Sequence, residues 1–407
     1  MNSFGNIFRV SVFGESHGES VGVVIDGCPA GLSLAEEDLL PDLERRKGGK
    51  QKGTTPRQEA DYPIFKSGLF NGKTTGFPIT ILFENNNTRS EDYQKQRSIP
   101  RPGHADWVAH QKFGGYEDYR GGGHFSARLT TGLVAAGAIA KKLIIEIDGE
   151  YHDTEDQIKY DAARSEWLNE HNYYLLRFTN KEVLNNISEV VTKVSNILEQ
   201  QSTVQITESS STSPLERGLG GEVTVHAAVT EIGGEKDLEK GLQRAIDAKD
   251  SVGGLVECRV NGLPVGLGEP YFDSLESSLA HIVFAIPAVR GIEFGTGFAA
   301  AKMFGSEHND AIENMEGKTR TNHAGGIVGG ISNGNELVFR IAIKPTSSTP
   351  KQQNSLNWDT QKMEDFSIKG RHDLCVALRA PVILEAATAV TLVDFLLREQ
   401  HIKRVLS

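Results

Sequence analysis

One stretch limits the possible folds more than any other: Pro381–Glu399 is apolar on most faces of a helix. A helix that is hydrophobic all round has no side to give to water and belongs in a core. Thr130–Ile145 is a second such segment, Ala-rich and without a breaker after Gly137. No window approaches about 18 consecutive apolar residues, so a membrane span is not expected. At 407 residues the chain exceeds what one hydrophobic core usually serves, which predicts two lobes or one large layered domain.

Around these helices the pattern changes to short strands. Phe8–Phe13 and Val21–Asp26 read as strands joined by a turn at Gly14–Gly18, and Glu222–Val229, Leu255–Val260 and Glu336–Ile343 read the same way. Ser33-Leu34-Ala35-Glu36 has capping-box spacing and predicts a helix to about Lys47, stopped by Gly48-Gly49. Arg45 and Arg46 then fall in a last turn, where cations suit the helix dipole. Asp273-Ser274-Leu275-Glu276 predicts another helix start, running to about Phe284. From about Asp148 to Arg217 the chain is polar, with an amphipathic stretch at Lys181–Glu199 and a Ser/Thr/Gln-rich tail at Gln200–Ser213, which predicts an accessory insertion.

Two glycine motifs are decoys. Gly68–Thr74 resembles a phosphate-binding loop, but Ser67 stands where its first glycine belongs, and no helix pattern follows Thr74. Gly295–Ala300 resembles a dinucleotide fingerprint without the βαβ context, and Met303–Asn309 beyond it is polar and glycine-broken.

The net charge of −11 argues against nonspecific nucleic-acid binding. Yet Arg45, Arg46, Lys47, Lys50, Lys52 and Arg57 crowd one stretch, and Arg97 and Arg101 another. In an acidic protein such clusters suggest a pocket for a small anion. Cys28, Cys258 and Cys375 are too few and too separated for a disulfide framework or a zinc cluster. Met1–Gly5 lacks the basic and apolar regions of a signal peptide, so a cytosolic, cytoplasmic protein is expected.

Four segments combine histidine, arginine, acid or hydroxyl with glycine: Gly14–Gly18, Arg101–Asp106, Arg120–Arg128 and Gly370–Asp373. Loops on a scaffold commonly converge at a site. Arginines there suit bidentate bonds to phosphate and carboxylate. A histidine among them has its pKa lowered by like charge and raised by a bound phosphate, so it acts as an acid once an anionic substrate arrives. His104, Asp106 and His110 do not converge as ligands in either a strand or a helix, and Arg101 repels cations, so no metal is expected.

Gly14-Glu15-Ser16-His17-Gly18 with Asp26-Gly27-Cys28-Pro29 resembles the first signature of the chorismate synthase family. Ser126-Ala127-Arg128 with Val134–Ala138 resembles the second. Gly370-Arg371-His372-Asp373, with Cys375 and Glu385, resembles the third. Arg101–Asp106, Gly268-Glu269-Pro270, Asn322–Gly326, Gly329–Ser332 and Lys344–Ser348 are similar to family segments in the same order. The match runs from about Phe4 to Gln400 and leaves out most of Asp148–Arg217.

The resemblance implies an α+β fold, a β-α-β sandwich with helices between antiparallel sheets, as a single domain over 1–407 with an insertion at about 148–217. It implies a lyase of the shikimate pathway that makes chorismate and phosphate from 5-enolpyruvylshikimate 3-phosphate. The reaction is a 1,4-anti elimination that requires reduced flavin mononucleotide (FMN). It also implies a homotetramer. Some members reduce their own flavin with NADPH; here an external flavin-reducing system is expected. By motif, His17 would protonate the departing phosphate, His104 would sit at the flavin near N1, and Asp373 would assist proton removal through flavin N5. Ser16 and Ser126 would relay protons. Arg46, Arg57, Arg101, Arg128 and Arg371 would hold substrate. Ser126, Pro287, Ala288, Gly329, Lys344, Pro345, Thr346, Ser347, Ser348 and Arg371 would contact flavin. His124 and Phe125 depart from the usual Arg-Ser, and His124 would stand in at the flavin. Lys52 stands where many members carry arginine. The rival reading is a flavin- or anion-binding module without catalysis; a metal-dependent phosphohydrolase is a weaker one.

Overall fold

The computed structural model describes residues 2–49, 52–57, 59–88, 97–150, 223–368, 372–399 and 401–402, the side chains of 145–150 excepted. Met1–Ile147 with Glu222–Ser407 forms one compact unit and Asp148–Gly221 another. The sequence readings at Lys181–Glu199 and Gln200–Ser213 lie outside the described residues.

The first unit has two antiparallel sheets. One joins β1 (Ser3–Phe4), β2 (Arg9–Gly14), β3 (Ser20–Asp26), β4 (Ile64–Ser67) and β7 (Ile79–Glu84) in the order β1-β2-β3-β7-β4. Its one-sided burial is written in the alternation: Val21, Val23 and Ile25 of β3, and Ile79, Ile81 and Phe83 of β7, carry the buried apolar side chains. Between β4 and β7, β5 (Leu69–Phe70) and β6 (Lys73–Thr74) form a small hairpin. Its turn is Asn71-Gly72, both with positive φ, the conformation a two-residue hairpin turn requires. The phosphate-loop lookalike is thus a β-turn.

The other sheet runs β10 (Val289–Phe294), β13 (Leu337–Ile343), β9 (Gly254–Asn261), β8 (Thr224–Ile232). Leu337, Phe339, Ile341 and Ile343 alternate into the core. Two further hairpins, β11 (Ile327–Val328) with β12 (Ile331–Ser332) and β14 (Gln353–Asn357) with β15 (Lys362–Phe366), stand apart from both sheets.

The helices of seven residues or more among the described residues are α1 (Leu40–Arg46), α2 (Asp106–Phe113), α3 (Thr130–Glu150), α4 (Leu238–Ala248), α5 (Leu275–Val283) and α6 (Ala380–Arg398). Every residue of α6 from Val382 to Leu397 is buried. The segment Val376–Arg398 is long and apolar enough to cross a membrane, but 94% of its most apolar window is buried inside the protein. Here it is a core helix. α3 packs on β3, where Gly132 meets the Gly22 carbonyl, and on α6, where a Cβ at Gly137 would collide with Ala386. α6 in turn packs on the second sheet: Glu385 accepts the Ala227 N–H at 3.0 Å, and Thr388 lies 3.6 Å from Cys258 Sγ. The layers are sheet, helices, sheet, an α+β fold with its helices between antiparallel sheets.

One helix start differs from expectation, and a second is sharpened within its segment. Ser33 is not a cap; it bridges to Lys73, and Asp38 accepts the Ala35 N–H at 2.9 Å instead. Pro41 is tolerated only in a first turn, so α1 begins at Leu40. At α5 the capping side chain is Ser274, which accepts the Ser277 N–H, and not Asp273. Arg45 leaves the cationic cluster entirely, pairing with Glu385 and Asp42 beside Lys141.

Candidate active site

Loops from both sheets meet around a cavity of about 670 Å³. Arg46 closes α1 and is 3% exposed; its Nη2 donates to Asp61 at 2.7 Å. Arg128, also buried, donates to the other oxygen of the same carboxylate. Burial alone would raise the Asp61 pKa, but Arg46 and Arg128 outweigh it and hold the carboxyl below its ordinary range. Burial lowers Arg46 to about 10, against the pull of Asp61, so it stays charged at neutral pH. Two guanidiniums share one carboxylate here, which leaves a net positive wall ready for an anion.

Arg57 forms the next wall. Its fork grips Glu59, with Nη2 at 2.6 Å, while Nη1 donates to Ser16 Oγ at 3.1 Å and Nη2 to the Ser16 carbonyl at 3.2 Å. Ser16 is fully buried, and its N–H donates to the Gly123 carbonyl. The neighbouring His17 is 7% exposed. Burial first, then Arg57 and Arg120, lower its pKa to about 4 against Asp118 and Glu59, so the ring is neutral at pH 7.

Gly121, Gly122 and Gly123 all have positive φ. Three consecutive left-handed residues are open only to glycine without strain. The run separates two histidines. A Cβ on Gly121 would collide with the His17 ring, and one on Gly122 would stand 3.2 Å from Cε1 of His104. Gly121 lines the cavity, whereas Ser16 and His17 sit one layer behind it.

His104 is held from the other side. Asp106 Oδ1 lies 2.6 Å from His104 Nδ1 and 2.7 Å from Arg101 Nη2; Oδ2 accepts Arg101 Nε at 2.7 Å and the Arg101 N–H at 3.0 Å. Arg101 Nη1 reaches Ser348 Oγ at 3.3 Å. The expectation that His104 and Asp106 diverge fails because Pro102–Ala105 is a turn, neither strand nor helix. Burial first, together with Arg101 and Lys344, lowers the His104 pKa against Asp106.

Opposite lies the Lys344–Ser348 loop. Lys344 Nζ donates to Ser347 Oγ at 2.8 Å, and Ser347 Oγ donates to the Gly103 carbonyl, tying this loop to that of His104. Pro287 and Ala288 form the adjoining corner, where Ala288 holds φ 74° and its carbonyl accepts the Lys344 N–H at 2.9 Å. Burial and Arg290 lower the Lys344 pKa. Thr346 Oγ1 is buried with no hydrogen-bond partner among the described residues. Phe4, Val10, Ile282 and Phe284 give the cavity an apolar end.

Asp373 accepts the Thr55 N–H at 2.8 Å and Arg379 Nη1 at 3.0 Å. Ser126 and Phe125 line the cavity, and Ser126 Oγ accepts the Arg128 N–H. His124 is also on the wall, with Nδ1 donating to the Gly14 carbonyl at 2.9 Å. The structure thus gathers Arg46, Arg57, Arg101, Arg128, His104, Asp373, His124, Phe125, Ser126, Pro287, Ala288, Lys344, Thr346, Ser347 and Ser348 on one cavity. Pro345 belongs to the same loop but not to the wall. Gly329 is elsewhere, in the turn between β11 and β12, off this cavity. Lys52 donates to Gln243 of α4. Arg371 lies outside the described residues.

The family model for chorismate synthase matches residues 8–397. A chorismate synthase of Chitinophaga pinensis is 56% identical over 405 residues, covering 100% of this chain and 99% of that protein. The chain belongs to the chorismate synthase family. Further chorismate synthases, of Methanocaldococcus jannaschii and of Synechocystis, are 41% and 40% identical, each covering 98% of this chain and 97% and 98% of those proteins. A crystal structure of a chorismate synthase has the same fold at a TM-score of 0.59 and 22% identity, covering 97% of this chain and 93% of that one.

The second chorismate synthase signature lines this cavity through Ser126, Ala127 and Arg128 and the third through His372 and Asp373, whereas the first stays behind Gly121 with Ser16 and His17. Sequence reasoning missed Glu59, Asp61, Arg290 and Arg379. The first two and the last are ion-pair partners, whose identity depends on tertiary contact. Arg290, two residues after Ala288, was within reach of the reading that found Pro287 and Ala288.

Proposed function

We propose that this cavity binds reduced FMN and 5-enolpyruvylshikimate 3-phosphate together and carries out the 1,4-anti elimination on them. The chain is a lyase of the shikimate pathway, converting that substrate to chorismate and phosphate. The observation that carries the cavity assignment is a charge imbalance. Among the described residues on its wall, Arg46, Lys47, Arg57, Arg101, Arg128 and Arg379 each face a carboxylate. Lys344 and Arg290 do not. Their uncompensated charge beside Ser347 and the orphaned Thr346 hydroxyl suits a phosphate, and the apolar end suits a flat ring.

Lys344, Thr346, Ser347 and Ser348 would hold FMN, with Ser126, Ala288 and His124 against it. Reduced flavin supplies electron density that helps phosphate depart, with no net oxidation or reduction. The remaining work is done by the chain. Arg46, Arg57, Arg101 and Arg128 orient the substrate anion. His17, neutral in the free protein, gains a proton as the phosphate raises its pKa and gives it to the leaving group. Asp373, held by Thr55 and Arg379, takes part in removing the ring proton. Ser16, bonded to Arg57 beside His17, and Ser126 relay protons.

Exposed Tyr271, Phe272, Phe298, Phe304 and Met315 suit burial between copies, which supports a homotetramer. Three buried free cysteines fit a reducing compartment, which supports the cytoplasm, with flavin reduced by an external system. The insertion at about 148–217 is given no part in the chemistry. The test is anaerobic turnover of 5-enolpyruvylshikimate 3-phosphate with photoreduced FMN, followed by chorismate absorbance. No product at saturating flavin rejects the proposal.

A further inference from the structure

The structure assigns Asp106 as the positioning residue of the site: its carboxylate sets the tautomer of His104 and the direction of the Arg101 fork at once. The sequence places it at the end of the Arg101–Asp106 segment and weighs it only as a metal ligand, with no part in the chemistry. The inference rests on the reading that His104 works at the flavin.

The geometry is a chain of single-purpose contacts. Asp106 opens α2, and both its oxygens are used. Oδ1 lies between His104 Nδ1, at 2.6 Å, and Arg101 Nη2, at 2.7 Å. Oδ2 takes Arg101 Nε at 2.7 Å and the Arg101 N–H at 3.0 Å. Burial, which would raise the Asp106 pKa, is outweighed by Arg101 and His104, so the group stays an ionised, pure acceptor. The hydrogen of that 2.6 Å contact must therefore belong to His104 Nδ1. Arg101 Nη2 lies 3.0 Å from the same nitrogen and competes with Asp106 for it; with the hydrogen on Nδ1, that contact is left without a hydrogen bond.

With Nδ1 committed, Nε2 is the titrating position, and it faces Gly122. A fixed partner on one ring nitrogen decides what the other can do. His104 lines the main cavity and also a second one of about 340 Å³, and Asp106 lies on the wall of the second alone. The support thus comes from behind the cavity, leaving Nε2 its proton chemistry. The charged groups acting on His104 are Asp106, Arg101 and Lys344; Arg97, His110, Glu117, Asp118 and Tyr119 also line the second cavity. Among these, Asp106 is the acid bonded to the ring.

An outer partner of this kind is typically worth about 10- to 100-fold in activity. The test compares D106N, H104A and the double variant under anaerobic turnover across pH. D106N is expected to lower kcat about 10- to 100-fold and to move the His104 limb of the pH profile to lower pH, since a charge that favoured His104⁺ is gone. Loss of the Arg101 clamp appears separately as a raised KM. In the H104A background, D106N should cost little further kcat. Full additivity in the double variant, or an unmoved pH limb with only KM changed, overturns the assignment. Normal turnover by H104A overturns instead the reading it rests on, so the two failures are distinct. Should D106N not fold, neutron diffraction of the unaltered protein decides: a hydrogen on Nδ1 supports the assignment, and one on Nε2 alone overturns it.

Discussion

Gly121 has its Cα against the imidazole of His17, so close that a Cβ there would overlap Nδ1 and Cε1 of the ring. The same residue holds φ +60°. Substitution to alanine therefore meets two separate obstacles, backbone strain of about 1 kcal/mol and a collision with the proposed acid. G121A is expected to fold with modestly lower stability but to lose turnover on the order of 10²-fold, the usual cost of displacing a reacting group by about 1 Å. G234A serves as control: its φ is +83° and a Cβ meets nothing within 4 Å, so it should show the strain without the loss in kcat. Equal turnover in the two variants would remove the His17 contact from the account.

His17 also predicts a proton balance. Its pKa near 4 lies below the ordinary histidine value of 6.5. A doubly charged phosphate among Arg46, Arg57 and Arg128 raises it again, so substrate binding at pH 7 should take up a proton. Calorimetry in two buffers of different ionisation enthalpy measures this uptake, which is expected to shrink in H17Q. The sign for stability follows from the same shift. The folded pKa is depressed, so His17 contributes stability that is present above about pH 6.5 and lost as pH falls towards 4. The melting temperature of H17Q should therefore fall less steeply over that window.

The positions of Lys344 and Arg290 predict flavin selectivity. If these two uncompensated cations hold a phosphate, replacing either with glutamine removes about 1.5–3 kcal/mol of charge-assisted bonding. K344Q and R290Q should each bind FMN about tenfold to a hundredfold more weakly by flavin fluorescence, and riboflavin almost as before. Equal weakening of both flavins would move the phosphate elsewhere in the cavity.

Much of this was legible in the chain itself. Strands β2 and β3, with the turn that carries Ser16 and His17, follow from alternation and glycine placement, and α6 follows from having no polar face. The arginines of the wall were visible as clusters in an acidic protein. Their counter-charges were not, because Asp61 lies 15 residues from Arg46 and 67 from Arg128, and nothing local marks it as the partner of either. Arg45 and Arg46 show the limit most clearly. They are adjacent and alike, yet one turns to Glu385 of α6 and the other into the cavity. A helix places neighbouring side chains about 100° apart, and only the packing of α1 decides which faces the site. The turn at Pro102–Ala105 hid the pairing of His104 with Asp106 for a similar reason: neither helical nor strand spacing describes it.

Asp61 provides the strongest stability prediction. It is 2% exposed, sits at φ +49°, and is the carboxylate that both Arg46 and Arg128 reach. In D61N the amide keeps the shape but not the charge, leaving two buried guanidiniums to repel each other with one weak acceptor between them. Breaking a buried pair in this way typically costs about 3–5 kcal/mol, since the remaining charge has lost its solvent as well as its partner. Urea unfolding of D61N should show a loss of that order. Phosphate added to the folded variant should restore part of it, because an anion in the cavity supplies the missing charge by binding the native state alone. Recovery with sulfate and phosphate but not with chloride at equal ionic strength would separate site binding from simple screening. A variant as stable as the original protein would mean that Arg46 and Arg128 reach solvent, and that the cavity wall is less positive than its geometry indicates.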